Sequence, residues 1–181
     1  MAGQRLTDKS ALSNHTGTGD LYMIVDVSDT TASAAGTSKK LDSKFVIQTD
    51  KISVSAAETQ ALKTVPKTLV SAPGSGYAII PLNFTIFNTY SSGPETDKVV
   101  LIFGHTGTAN PELACASIAS YMKSVTTNAT YIISNASLAT GFQMTKTTSI
   151  DDTPLYLSAS NNFTGGFSMD VYVTYQIILL S

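Results

Sequence analysis

From residue 68 onward the chain consists of short apolar segments separated by turns rich in Gly, Pro and Asn. Within several segments apolar and polar residues alternate, as at 82–87 and again at 169–176. A period of two places successive side chains on opposite sides of a strand. About seven or eight such strands, spaced roughly ten residues apart, predict an all-β fold, an antiparallel β-sandwich of jelly-roll type.

The predicted strands of this sandwich are 68–71, 77–90, 98–103, 130–133, 141–145, 154–159 and 167–180. Pro81 has no N–H to donate, so we expect a sheet edge or a bulge at that position. Residues 111–123 are ambiguous, because the spacing of Leu113, Ala116 and Met122 also fits a short helix. The last strand predicts that the C-terminus is tied into a sheet.

One short connector helix is predicted after residue 55. Ser55 and Glu58 have the spacing of a capping box, in which each side chain satisfies a backbone N–H of the other residue. Val65-Pro66 ends the helix, since the residue before proline avoids the helical region.

The first 50 residues differ from the rest. Two short strand candidates, 21–27 and 37–41, flank a loop of small residues. A two-stranded hairpin is marginally stable alone, so this segment needs a partner to be ordered. It either packs on the main domain or forms an extended arm that orders on another protein. We therefore divide the chain into residues 1–50 and a sandwich domain at 51–181.

Composition limits the function classes. The hydrophobic share of 43% suffices for a folded core, but only 13% of the residues are charged, about half the usual share. Ser and Thr replace the missing charge, which suits repeated packing between subunits. The net charge of −2, with Lys39-Lys40 as the longest basic run, predicts no binding to nucleic acid. The N-terminus lacks a signal-peptide pattern, and no apolar run is long enough to span a membrane, which predicts synthesis in a cytoplasm.

A search for catalytic groups identifies none. His15 and His105 lie in separate loops and are expected to face solvent, and Asp151-Asp152 is expected to be a solvated turn. Cys115 is the single cysteine and is predicted to be a buried, inert thiol. Gly165-Gly166 is interpreted as a hairpin turn. We predict no catalytic residue, no cofactor and no metal ligand, and hence no enzyme.

Three stretches resemble structural proteins of tailed-bacteriophage virions. Residues 5–41, with Gly19-Asp20-Leu21-Tyr22-Met23 and Gly36-Thr37-Ser38-Lys39-Lys40-Leu41, look like the opening of phage fibre and appendage proteins. Residues 55–76 and 154–178 look like the two ends of a β-sandwich module found in head fibres, capsid decoration proteins and tail appendages.

The resemblance implies a virion structural protein that is made in the host cytoplasm. It would dock on capsid, collar or tail proteins through residues 1–50 and display its sandwich as a homotrimer. The residues predicted to attach it to the particle are Leu21, Met23, Val25, Lys39 and Lys40. The residues predicted to line the subunit interface are Tyr131, Phe163 and Phe167.

An alternative function is binding to a glycan or receptor on the host surface. Sugar sites on β-sandwiches use an exposed aromatic ring, and Tyr90, Tyr121 and Tyr131 are the candidates. The competing interpretation places these tyrosines in the core or in a subunit interface. A hydrolase acting on a surface polymer is disfavoured, because the sequence lacks paired acids.

Overall fold

The computed structural model describes residues 21–26, 37–42, 45–105, 114–134 and 150–180. The chain divides into two compact units, Met1–Val46 and Ile47–Ser181. The predicted strand at 141–145 and His15 lie outside the described residues. The described elements are β1 (Leu21–Asp26), β2 (Thr37–Asp42), β3 (Gln48–Val54), α1 (Ala56–Ala61), β4 (Lys67–Val70), β5 (Tyr77–Ser92), β6 (Leu101–Gly104), β7 (Ala114–Ile118), β8 (Ala129–Ser134), β9 (Leu155–Ala159) and β10 (Gly166–Leu179).

The first unit contains the antiparallel hairpin of β1 and β2, with Leu21 paired to Asp42 and Asp26 paired to Thr37. Both strand candidates at the N-terminus are therefore strands. Apolar residues occupy both sets of alternating positions in β1. A two-stranded hairpin of this size is marginally stable when it is isolated in water.

The second unit is a β-sandwich, as predicted. One sheet has the order β3-β10-β5-β8 and the other β4-β9-β6-β7, and every pairing between these strands is antiparallel. The two sheets meet in one hydrophobic core, in which the rings of Phe84 on β5 and Phe103 on β6 lie 4.2 Å apart. Because β3 starts at Gln48, the sandwich includes residues before the expected boundary at 50/51.

The strand β10 shows the predicted alternation along its whole length. Its residues at odd positions from Phe167 to Ile177 are buried, and those at even positions are partly exposed. It pairs with β3 on one side and β5 on the other, so the C-terminal strand lies inside its sheet. This central position accounts for the strict period of two, since one face of the strand packs on the core and the other stays partly exposed.

The strand β5 contains the bulge that Pro81 predicts. Thr174 pairs with Asn83 but Tyr175 pairs with Pro81, so the register shifts by one residue at Leu82. Before the bulge Ile79 and Pro81 are buried, whereas after it the buried positions are even-numbered, starting at Phe84. The bulge therefore changes which residues of β5 face the core.

The helix α1 begins at the predicted capping box. The Ser55 hydroxyl accepts a hydrogen bond from the Glu58 N–H, and the Glu58 carboxylate accepts one from the Ser55 N–H. Leu62, which follows the helix, is fully buried in the core. The cap therefore fixes where the chain turns away from the end of β3.

Residues 114–118 form the strand β7, so the helix considered for this stretch is wrong. Ala116 pairs with Phe103 and Ile118 pairs with Leu101 at the side of β6 that β9 leaves open. The following turn has positive φ angles at Ser120 (53°) and Met122 (58°), which a right-handed helix excludes. This segment forms a strand because it pairs with the open edge of β6. The spacing of its apolar residues alone did not distinguish a strand from a helix.

Gly165-Gly166 is not a hairpin turn, contrary to expectation. It lies where the chain crosses from β9 in one sheet to β10 in the other. A Cβ on Gly166 would lie 2.0 Å from the Ser92 carbonyl oxygen, and one on Gly165 would lie 2.8 Å from the Glu95 nitrogen. The glycines are required here because another backbone segment approaches too closely for a side chain.

Candidate functional site

The candidate site lies on the outer face of the sheet β3-β10-β5-β8, which is the face turned away from the core. Two neighbouring rows of paired residues cross this face. The rows are Lys51, Tyr172, Thr85 and Ile132, and Ser53, Asp170, Phe87 and Thr130. Ile132 is 71% exposed and Phe87 is 47% exposed. The outer face thus combines hydroxyl groups with a few large apolar side chains.

A cleft of about 280 Å³ opens where α1 leaves this sheet. Its lining consists of the ends of β3 and β5, the start of β10 and the first turn of α1. The lining residues are Ser53, Val54, Ser55, Glu58, Thr89, Ser168, Met169 and Asp170. Most of these side chains carry hydroxyl or carboxylate groups, so the cleft can exchange hydrogen bonds with a polar ligand.

Each carboxylate of the cleft is paired with a lysine. The Lys51 ammonium lies 2.8 Å from an Asp170 oxygen, and together with the Ser53 hydroxyl it holds the pKa of Asp170 below its usual value. Lys67 and the N–H and hydroxyl of Ser55 lower the pKa of Glu58 to about 2. Both acids are therefore ionised at neutral pH, and the cleft has no net charge.

A second polar cluster surrounds the buried carboxylate of Glu95, which is 1% exposed. One oxygen accepts hydrogen bonds from the N–H groups of Thr164 (2.7 Å) and Gly165 (3.0 Å). The other accepts from the Asp97 N–H at 2.9 Å and the Thr164 hydroxyl at 3.1 Å. Burial disfavours the charge, but these donors outweigh it and hold the pKa of Glu95 below its usual value. This cluster fixes the β9–β10 crossing.

The predicted interface residues lie in or beside an aromatic cluster of the core. Phe163 and Phe167 are 3% and 1% exposed, with ring centroids 5.4 Å apart. Both rings also contact Tyr121. Their burial therefore needs no second subunit. Tyr131 packs on Tyr121 with centroids 4.9 Å apart and stays partly exposed. A role for these residues between subunits stays a prediction.

The three tyrosines considered for sugar stacking have different surroundings. Tyr121 is fully buried, and its hydroxyl donates a 2.6 Å hydrogen bond to the Asn88 side chain, so it belongs to the core. Tyr90 and Tyr131 are partly buried. The aromatic rings beside the cleft are instead Phe87 and Tyr172, which the sequence indicated only as alternating strand residues.

Two groups considered for chemistry are buried. His105 is 2% exposed, so the expectation that it faces solvent is wrong. Burial lowers the pKa of its ring, and the backbone carbonyls of Thr153, Pro154 and Ile79 oppose this shift. Cys115 is 3% exposed, and burial raises its pKa to about 12, so the thiol is buried and unreactive as predicted.

Asp151 and Asp152 hold a loop together. A carboxylate oxygen of Asp151 accepts a 2.7 Å hydrogen bond from the Gly76 N–H, and one of Asp152 accepts a 2.9 Å bond from the Gly74 N–H. These hydrogen bonds connect the turn before β5 to the segment before β9. The two aspartates therefore have a structural role that the expected solvated turn did not include.

The predicted attachment residues lie on the hairpin of the first unit. In its register Met23 pairs with Lys40, Ile24 with Lys39 and Leu21 with Asp42. Over the part of the chain that the structure describes, no cluster of three His, Cys, Asp or Glu side chains could hold a metal ion. Over the same ranges, no helix has the length and hydropathy needed to cross a membrane.

Comparisons with known proteins find similarity only at the level of weakly similar structures. No protein-family model and no curated protein matches the chain. A chain of the cyanophage Pam1 capsid asymmetric unit aligns over 100% of both chains, at 16% identity and a TM-score of 0.41. A chain of the native Kashmir bee virus virion at acidic pH aligns over 94% of this chain and 96% of that one, at 10% identity and a TM-score of 0.29. These scores are too low to support a functional argument.

Proposed function

We propose that the protein is a non-enzymatic structural subunit of a bacteriophage virion, of the head-fibre, decoration or collar and tail appendage type. The N-terminal unit, residues 1–46, attaches it to capsid, collar or tail proteins, and the sandwich is displayed outward as a homotrimer. The division of the chain into two compact units carries this proposal. The resemblance of residues 5–41 to the opening of phage fibre proteins supports it.

The argument for attachment rests on the hairpin. A two-stranded sheet with apolar residues at both sets of positions in β1 is marginal in water. A partner surface that covers one face of the ribbon would remove this instability. Leu21, Met23 and Val25 supply the apolar contacts, and Lys39 and Lys40 supply the charged ones.

The argument for self-assembly rests on the composition of the surface. Only 13% of the residues of the chain are charged, and hydroxyl groups can satisfy one another locally, as in the 3.0 Å contact between Thr49 and Thr174. Such a surface loses little when water is removed, whereas a charged one loses much. Sedimentation equilibrium of the full chain tests the trimer, and a monomer at all concentrations would contradict it.

Deletion of residues 1–46 tests attachment, because it leaves β3 and the whole sandwich unit intact. We expect a folded protein, judged by its circular dichroism and a cooperative thermal transition, that no longer joins particles. The control is the full chain with Ile132→Ser, which alters an exposed sandwich residue and should join normally. Normal incorporation of the folded truncation would show that residues 1–46 are not the attachment segment.

A second function, binding to a glycan or receptor of the host surface, is favoured by one observation. The cleft at the start of α1 adjoins the exposed ring of Phe87, which pairs with the cleft residue Asp170. A pull-down of host cells with the isolated protein tests this function directly.

A further inference from the structure

The cleft and its aromatic neighbours form one continuous surface. Asp170 in the cleft wall pairs in register with Phe87 on β5 and with Ser53 on β3. The ring of Phe87 meets that of Tyr172 edge to face, with centroids 5.6 Å apart and an interplanar angle of 86°. An exposed ring therefore stands beside a concave polar surface on the same side of the sheet.

The polar groups of the cleft have unused hydrogen-bonding capacity. In Asp170 one oxygen accepts from the Ser53 hydroxyl at 2.6 Å, and the other accepts from the Lys51 ammonium. Each carboxylate oxygen has two lone pairs, so each can accept one more hydrogen bond. The hydroxyls of Thr89 and Ser168 add groups that both donate and accept. A ligand with several adjacent hydroxyl groups matches this arrangement.

The charges select among such ligands. Lys51 balances Asp170 and Lys67 balances Glu58, so no positive charge is left for an anion. A carboxylated or sulfated sugar would meet two ionised acids without a free cation. A neutral sugar meets hydrogen-bonding groups and the apolar side chains of Val54 and Met169, and its C–H face can stack on Phe87.

We propose that this cleft, together with Phe87, is a binding site for a neutral, polyhydroxylated saccharide. The inference rests on the second function proposed above and names its ligand class and its residues. The volume of about 280 Å³ suits one or two sugar rings. Tyr172 holds the Phe87 ring in place by its edge contact and does not enter the cleft lining.

A second copy of the chain is a less suitable occupant of the cleft. A protein surface would have to strip water from two ion pairs, and the cost of that desolvation is repaid only by well-placed partners. Sugar hydroxyls replace the lost water with hydrogen bonds of the same kind. The concave shape also leaves a flat partner surface without contact in the cleft.

The test is a titration of the full-length protein followed by amide chemical shifts. The probes are the methyl glycosides of glucose, galactose, mannose, rhamnose and N-acetylglucosamine at millimolar concentrations, with glucuronic acid and N-acetylneuraminic acid for comparison. We expect at least one neutral glycoside to shift the amides of Ser53, Thr89 and Asp170 saturably, and the acids to leave them unchanged.

Matched variants localise the binding. Phe87→Ala should weaken it about tenfold, the worth of one aromatic contact. Asp170→Asn, which keeps the shape, should weaken it by a similar factor. Ile132→Ala, also on the outer face but outside the cleft, should bind as the parent does.

Three results would overturn the proposal. One is that no neutral glycoside shifts the cleft amides, and another is that the acidic sugars bind more tightly. The third is that simple dilution shifts the same amides, which would identify a second copy as the occupant. Saccharide binding without binding to host cells would leave the site standing and reject the adhesin function, so the two failures are distinguishable.

Discussion

The two faces of β10 differ in their exposure to solvent. Toward the core, Phe167, Val171 and Tyr175 are buried in the hydrophobic cluster that the two sheets share. Toward the outside, Asp170 and Tyr172 lie in an open surface of hydroxyls, ion pairs and exposed rings. The same strand therefore supplies the fold with one set of residues and a candidate binding surface with the other.

The comparison also separates two kinds of carboxylate. Glu95 is buried and held by four donors from the chain itself, so it has no capacity left for a ligand. Asp170 is partly exposed and paired with one lysine and one hydroxyl. A polar group that is fully satisfied inside the protein stabilises the fold, whereas one that is partly satisfied at the surface remains available.

The largest expected change in the free energy of unfolding comes from a comparison of two phenylalanines, one on each face of the sheet. Phe167→Ala should lower the free energy of unfolding by about 3–5 kcal/mol, because it leaves a cavity between Phe163 and Tyr121. Phe87→Ala on the outer face should lower it by less than about 1 kcal/mol. Urea denaturation measures both. Equal losses would mean that the outer face is part of the folding core.

A smaller change in the free energy of unfolding is expected from a comparison of the carboxylates of Glu95 and Asp170. Glu95→Gln should cost about 2–4 kcal/mol, since an amide nitrogen would then face N–H donors in a buried site. Asp170→Asn should cost less than about 1 kcal/mol, because its ion pair is exposed.

The difference in stability between the parent protein and Glu95→Gln should depend on pH. The pKa of Glu95 is lower in the folded protein than its ordinary value of 4.5. Its contribution is therefore complete above pH 4.5 and is lost as the pH falls through the folded pKa. Denaturation of parent and Glu95→Gln proteins should converge in acid, and a gap that stays constant would refute the electrostatic explanation.

The smallest change in stability is expected from the removal of single tyrosine hydroxyls, one in the core and one on the outer face. Tyr121→Phe should cost about 1–2 kcal/mol, because the buried Asn88 side chain loses the donor that lies 2.6 Å away. Tyr172→Phe on the outer face should leave the melting temperature almost unchanged. A comparable loss in both variants would indicate that the contact of the Tyr172 side chain with Lys51 also stabilises the fold.

Local patterns predicted much of the sandwich. The alternation in β5 and β10, the capping box at Ser55 and the bulge at Pro81 each depend on residues adjacent in sequence, and the structure has all of them. The positions of β4, β6, β8 and β9 were predicted from short apolar runs between turns. The candidate cleft was not predicted, because its walls come from β3, α1, β5 and β10 together.

The structure differs from the sequence-based predictions mainly at residues whose partners are distant in sequence. Glu95 lies between the predicted strands 77–90 and 98–103, and its donors Thr164 and Gly165 follow some 70 residues later. The segment 114–118 became a strand because β6 had an open edge. His105 is buried because β6 carries it into the interior.

The sequence by itself determined the all-β class, the helix start, the bulge and the alternating faces, because steric and hydrogen-bonding rules act between neighbouring residues. Only the tertiary structure decided which polar groups are enclosed and which are open. Burial and pairing depend on the approach of separate strands, and Phe87, Asp170 and Ser53 come together only when β5, β10 and β3 join one sheet.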